Sequence, residues 1–283
     1  MAEKRLTKEI VEQFLAGDRS VELREFTELD YAAAEILRTL TERVHFTDAA
    51  IVSVEFLRRP WYALDLSGLT NLTDAVAESL GKQRGVLWLS GLTSLTDAAA
   101  KSLGEHDGDL YLNGLTTVSD IGVESLSNHV GRLYLNGLQS LSDAAAESLS
   151  KHEGSLNLNG LTSLSQSAAE SLSKHKGNVL RATGRLFLNG LRSLSDEAAK
   201  NLSKHEDWLT LDGLESLSDA AAESFGKHRG ALWLNGLSSL SDAAAKSLSK
   251  HDGWLEFDLK ELPASSAAIL RNHPSFQDDD DDQ

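Results

Sequence analysis

Leu133 to Gly154, LYLNGLQSLSDAAAESLSKHEG, recurs with variations through most of the 283-residue chain. Gly137 has counterparts at Gly68, Gly91, Gly114, Gly160, Gly190, Gly213 and Gly236, a step of 23 residues broken once by a step of 30. A fixed period of this kind marks a repeat architecture, so each residue is read first by its place in the repeat. Leu133 and Leu135 alternate with Tyr134 and Asn136, the period-two pattern of a short half-buried strand. Leu138 and Leu141 are expected to point inward from a turn. Ser142-Asp143 supplies an N-cap and an acidic first turn, Ala144 to Ala146 favour helix, and Lys151, His152 and Gly154 suit its carbonyl end. The spacing predicts a strand, a turn and a helix of about ten residues in each unit.

Taken alone, Asn136-Gly137 would suggest a hairpin between antiparallel strands. A helix follows it instead, so successive strands must run parallel through a handed crossover, and the coil is predicted to be right-handed. A closed eightfold barrel of such units needs roughly 31 residues per unit. Twenty-three is too few, which leaves an open solenoid. Parallel strands stack about 4.8 Å apart and helices about 10 Å, so the sheet is expected on the inside of a curve.

The pattern L-x-L-x-G-L-x-S-L-[ST]-D-x-A-A-x-x-L resembles the leucine-rich repeat, and its layout is similar to the cysteine-containing and ribonuclease-inhibitor-like subclasses. The Cys or Asn usual after the strand is replaced by Leu92, Leu115, Leu138, Leu161, Leu191, Leu214 or Leu237. The resemblance implies an α/β horseshoe, a right-handed leucine-rich-repeat solenoid with a parallel sheet on the concave face, helices on the convex face, and common use in protein binding. The organisation expected is an N-terminal cap with a divergent repeat over 1–62, the solenoid over 63–258, a C-terminal cap helix over 259–274 and a disordered acidic tail over 275–283. In the cap, Thr7 precedes a helix with Ile10, Phe14 and Leu15 on its apolar side. Val21, Leu23, Phe26 and Leu29 match the inward positions of a first repeat, and 40–62 has no clear register.

Composition narrows the function. The chain has 43 Asp and Glu against 27 Lys and Arg, a formal charge of −16, which argues against nucleic acid because phosphate binding needs a basic patch. With no Cys, disulfides, thiol catalysis and Cys-ligated zinc are excluded. No positively charged start leads into an apolar run and no stretch reaches the ~20 apolar residues of a membrane span, so a cytoplasmic protein without membrane contact is expected. No nucleophile–base set or phosphate loop appears. No cofactor and no metal are expected.

Two ladders imitate chemistry. His106, His129, His152, His175, His205, His228 and His251 recur at one position, with Gln83 in the first copy. His152 lies three residues after Leu149 and seven after Ala145, on the inner helical face, where an imidazole can hold the last carbonyls or the next turn, whereas a metal needs ligands converging from several directions, so an architectural role is read there. Asp74, Asp97, Asp120, Asp143, Asp196, Asp219 and Asp242 stand at helix starts and are read as capping residues.

The candidate binding residues lie on the outward strand row. Trp88, Tyr111, Tyr134, Phe187 and Trp233 stand between the paired leucines, while Arg132, Trp208 and Trp254 stand just before the first leucine and Asn136 just after the second. Aromatics there cannot serve the leucine core. Cross-strand stacking is one explanation, and a contact face for another protein is the other. A seven-residue excess at 178–184, with Arg181 in a locally basic stretch, is a second candidate contact. The function expected is a non-enzymatic scaffold that binds a protein. A carbohydrate or other small ligand stacked on the aromatics, or a recognition subunit of an enzyme complex, is the alternative.

Overall fold

A computed structural model describes residues 4–16, 18, 20–43, 63–177 and 184–276. They fall into two compact units, Met1–Gly137 and Leu138–Gln283. Arg181 with the rest of 178–183, residues 44–62 of the stretch without a clear register, and residues 277–283 of the acidic tail lie outside the described residues.

The first unit contains β1 (Arg5–Leu6), α1 (Lys8–Leu15), β2 (Glu28–Leu29), α2 (Tyr31–Arg43), β3 (Ala63–Asp65), α3 (Asp74–Gly81), β4 (Val86–Trp88), α4 (Asp97–Leu103), β5 (Leu110–Tyr111), α5 (Asp120–Ser127) and β6 (Leu133–Tyr134). Strands β3 to β6 pair in parallel in chain order, with Leu64, Leu87, Leu110 and Leu133 in register. The second unit contains α6 (Asp143–Leu149), β7 (Leu156–Asn157), α7 (Gln166–Leu172), β8 (Leu186–Phe187), α8 (Asp196–Leu202), β9 (Leu209–Thr210), α9 (Asp219–Phe225), β10 (Leu232–Trp233), α10 (Asp242–Leu248), β11 (Leu255–Glu256) and α11 (Ala264–Leu270). Here Leu156, Leu186, Leu209, Leu232 and Leu255 are in register across β7 to β11. Repeated strand–helix units on parallel strands are the α/β repeat arrangement expected from the 23-residue period, and no hairpin forms at Asn113-Gly114 or Asn235-Gly236, each of which leads toward a helix.

The alternating leucines form the core. Leu110, Leu112 and Leu115 are fully buried, as are Ala99, Ala100 and Leu103 on the facing helix. The fourth leucine of the motif is less inward than expected: Leu141, Leu164 and Leu194 are only half-buried, while Leu72 and Leu240 are buried. The helices of the regular repeats are seven or eight residues long, shorter than the ten expected. After Leu149 the backbone tightens into i→i−3 bonds, Lys151 N–H to Ser148 O and His152 N–H to Leu149 O, both 3.1 Å, and this 3₁₀-like end lowers the chain to the next strand.

Several helix starts are tied to the one before. The hydroxyl of Ser119 accepts from Gly122 N–H (2.9 Å) and donates to the Asp97 carboxylate. Thr96 bridges to Asp74 (2.5 Å), Ser165 to Asp143 (2.5 Å) and Ser241 to Asp219 (2.5 Å) in the same way. The hydroxyl is therefore the cap, and the aspartate, read from the sequence as the capping residue, is the acceptor that joins neighbouring layers.

The N-terminal cap departs from the sequence reading in three places. Val11, not Ile10, Phe14 or Leu15, is the buried residue of α1. The segment at Val21–Leu23 leads into a 3₁₀ turn, Leu23–Glu25, and the strand forms later, at β2, beside β1. The turn nevertheless stacks as a repeat turn should: Thr70 N–H donates to Thr27 O (3.1 Å), as Thr116 N–H donates to Thr93 O (3.1 Å). Helix α2 packs on α3, with Ser79 Oγ donating to Glu35 at 2.5 Å, so the divergent repeat lies directly against the first regular one. At the other end a 3₁₀ turn, Pro274–Phe276, places the Ser275 hydroxyl 3.0 Å from Leu255 N–H as its acceptor. Residues 275 and 276, expected in the tail, are part of that capping turn.

Candidate functional site

The outward strand row divides into two groups, one in each unit. In the first, one residue per strand places Trp88, Tyr111 and Tyr134 side by side, since Trp88 pairs with Tyr111 and Tyr111 with Tyr134. The tyrosine rings stack at 3.8 Å and 10°, and Trp88 leans on Tyr111 at 5.3 Å and 35°. All three are half-buried. Desolvation in this stack pushes the Tyr111 hydroxyl well above the usual phenol range, with Tyr134 beside it adding to the effect. Asp109 and Arg132 flank the stack, and the Asp109 carboxylate accepts from Arg132 N–H at 3.1 Å. Asn136 continues a chain of side-chain to backbone bonds, donating its N–H to Asn113 Oδ1 at 3.3 Å.

In the second unit the aromatics are more open. Trp208 is 37% and Trp254 is 54% exposed. Trp233 leans on Trp208 at 4.8 Å and 43°, and the Arg185 guanidinium carbon sits 3.5 Å from the centre of the Trp208 ring. Trp254 Nε1–H donates to Glu256 at 3.0 Å. Phe187 is not brought into this group. Its strand-row neighbours Asn157 and Thr210 are buried, and it makes no ring contact among the described residues. Asn189 and Asp212 prolong the side-chain ladder, taking N–H groups from Asp212 (3.0 Å) and Asn235 (2.9 Å).

Arg185, Glu256 and Ala231 were not among the candidates read from the sequence. The signal was present for Arg185, because it stands 23 residues before Trp208 and so at the same position of the adjoining strand. The 23-residue offset is what converts two distant positions into a cation–aromatic pair.

The histidine ladder is internal to the fold. His152, His175, His205, His228, His251 and His273 are buried, and successive rings from His152 to His251 stand 5.7 to 6.4 Å apart within 12° of parallel. His273 extends the column beyond the copies recognised in the sequence, and its Nε2 meets His251 O at 2.8 Å. His106 Nε2 meets Gly85 O at 2.9 Å in the first unit. His228 Nδ1 likewise meets Ser203 O at 3.3 Å, so these three rings donate to carbonyls of the preceding layer. Desolvation holds His175 at a pKa of about 3 and His228 at about 4, well below the ordinary 6.5. Burial lowers His106, His205 and His251 as well. Among the described residues, no three His, Asp or Glu side chains converge to hold a metal ion, and no helix is long and apolar enough to cross a membrane.

No family model matches the chain, and no curated protein does. Among solved structures, a leucine-rich repeat protein of Leptospira interrogans is similar over 89% of this chain, with 17% identity and a TM-score of 0.45. The chain spans 63% of that protein's length.

Proposed function

We propose that the protein is a non-enzymatic scaffold that binds another protein through the aromatic strand faces. The observation that carries this reading is the placement of large rings on the side of the strands turned away from the leucines. Trp208 and Trp254 remain open to solvent, and a core has no use for them there. Stacked tyrosine and tryptophan side chains supply rigid contact area at low entropic cost, which is why such residues dominate interface energetics. The Asn and Asp ladder beside them offers polar groups along the same edge.

Affinity capture with the full chain, identification of the bound protein, and titration of that purified partner test the reading. The triple change Trp88→Ser, Tyr111→Ser, Tyr134→Ser is expected to weaken binding by more than about tenfold, the loss typical of aromatic anchors, while the variant stays folded. A folded triple variant, and a second variant with Trp208 and Trp254 both changed to Ser, that each bind the partner as the parent does would refute it.

A further inference from the structure

Arg185, Trp208, Ala231 and Trp254 form one row across β8 to β11, because each precedes a leucine and those leucines are in register. Trp208 and Trp254 are therefore two strand spacings apart, about 9.6 Å, with only a methyl group between them. Ala231 is 9% exposed, and the row thus sets one small side chain between large indoles, the arrangement from which a slot over Ala231 is inferred. The Trp208–Trp233 pair makes one wall. Trp254, the most exposed tryptophan described, makes the other, and Glu256 sits against its indole N–H.

The row already holds one cation. From the β8 side, Arg185 covers the Trp208 ring at 3.5 Å, showing that an arginine from a neighbouring strand fits this surface. Aromatic walls with a carboxylate at the lip are the arrangement that attracts cationic groups, through the ring quadrupole and the charge together. Nearby charges favour the same sign of ligand. Asp207, Asp252, Glu256 and Asp258 flank the row against Arg185 and Arg229, and the chain as a whole carries −16.

We propose that the slot over Ala231 receives an arginine or lysine side chain from a basic segment of the partner protein. The inference rests on the binding-face reading and gives it a chemistry: the partner presents a positively charged stretch, with one residue inserted between Trp254 and the Trp208–Trp233 pair. Glu256 meets its charge, and the indoles cover its alkyl or guanidinium plane.

Titration of the full chain with a ten-residue arginine–glycine peptide, followed by tryptophan fluorescence and calorimetry, tests the slot. Length-matched lysine–glycine and glutamate–glycine peptides serve as comparisons. The basic peptides are expected to bind and the acidic one not. Trp254→Ser and the slot-filling Ala231→Leu should each weaken binding about tenfold, and Glu256→Gln about threefold, whereas Ile121→Ser, at an exposed helix position of the other unit, should change nothing. Ala231→Leu keeps every tryptophan and so separates loss of the slot from loss of a ring. The proposal is overturned if neither basic peptide binds, if the acidic peptide binds equally, or if Trp254→Ser and Ala231→Leu leave the affinity unchanged, the last being the mark of diffuse attraction to an acidic protein. Binding of the purified partner by the Trp88, Tyr111, Tyr134 triple variant is a separate measurement, so the slot can fail while the binding face stands.

Discussion

At the residue scale, the leucines and glycines of the repeat do different work. Leu135 has no exposure, and its truncation leaves a cavity between rigid layers, so Leu135→Ala is expected to cost about 2–5 kcal/mol by denaturant unfolding. Ser148 is half-exposed on α6, and Ser148→Ala should stay within about 0.5 kcal/mol. Equal midpoints for the two would contradict the assignment of faces. Gly114 is required for another reason. A Cβ there would lie 2.1 Å from Ser90 O and 2.7 Å from Leu92 O, so the turn presses directly on the turn of the previous layer. Gly114→Ala should destabilise by at least about 1–3 kcal/mol through overpacking. The leucine positions were legible as an alternation. The reason for the glycine was not, because an Asn-Gly pair signals backbone conformation, whereas the constraint here comes from a carbonyl 22 to 24 residues away.

At the element scale, an N-cap hydroxyl serves its own helix and, in the layers where an aspartate opens the preceding helix and accepts from it, that helix too. Ser218 accepts from Ala221 N–H at 3.0 Å and donates to Asp196. Ser195 caps Ala198 at 3.2 Å, but the preceding helix begins with Gln166 in place of an aspartate. Ser218→Ala should therefore cost about 1–2 kcal/mol and Ser195→Ala less, near the low end for a lost cap, as read from thermal melts of the two variants. The histidine column predicts acid sensitivity. Above pH 6.5 the His228 imidazole is neutral whether the chain is folded or not. Between pH 6.5 and about 4 the unfolded chain binds protons that His228 refuses while folded, so stability falls as pH falls, by on the order of 3 kcal/mol for this site. Acid unfolding monitored by circular dichroism should fall within that window, and His228→Gln should move its midpoint to lower pH. Gln83 already fills this ladder position, buried. An unchanged midpoint would separate the column from acid stability. The sequence placed these histidines inside, but their stacking depended on layer spacing that no single repeat contains.

On the scale of the whole molecule, charge and connectivity set the expectations. An excess of acidic over basic side chains that gives −16 makes the folded chain repel itself, and salt screens that repulsion within about 10 Å at 0.1 M. The melting temperature should rise between 20 and 500 mM sodium chloride, and a fall would mean that attractive ion pairs dominate. The fold type was legible because one pattern was written many times over. The N-terminal cap was not, since Val21–Leu23 obeys the leucine pattern yet enters a 3₁₀ turn, and its pairing partner, β1, lies before α1 where no motif announces it. The aromatic candidates were found from alternation alone, but their division into a stacked group and an open slot depended on which side chains lean together. The layer contacts also bear on how such a chain can change over generations. Thr70 meets Thr27 across 43 residues, and Asn189 meets Asn159 across 30, with the same bonds that other layers make across 23. In both cases the surplus enters where a helix returns to the next strand, and the hydrogen-bonded seam closes around it. That return is a natural splice point: a duplicated or deleted 23-residue cassette brings its own cap, glycine and histidine, and rejoins the stack without asking its neighbours to adjust.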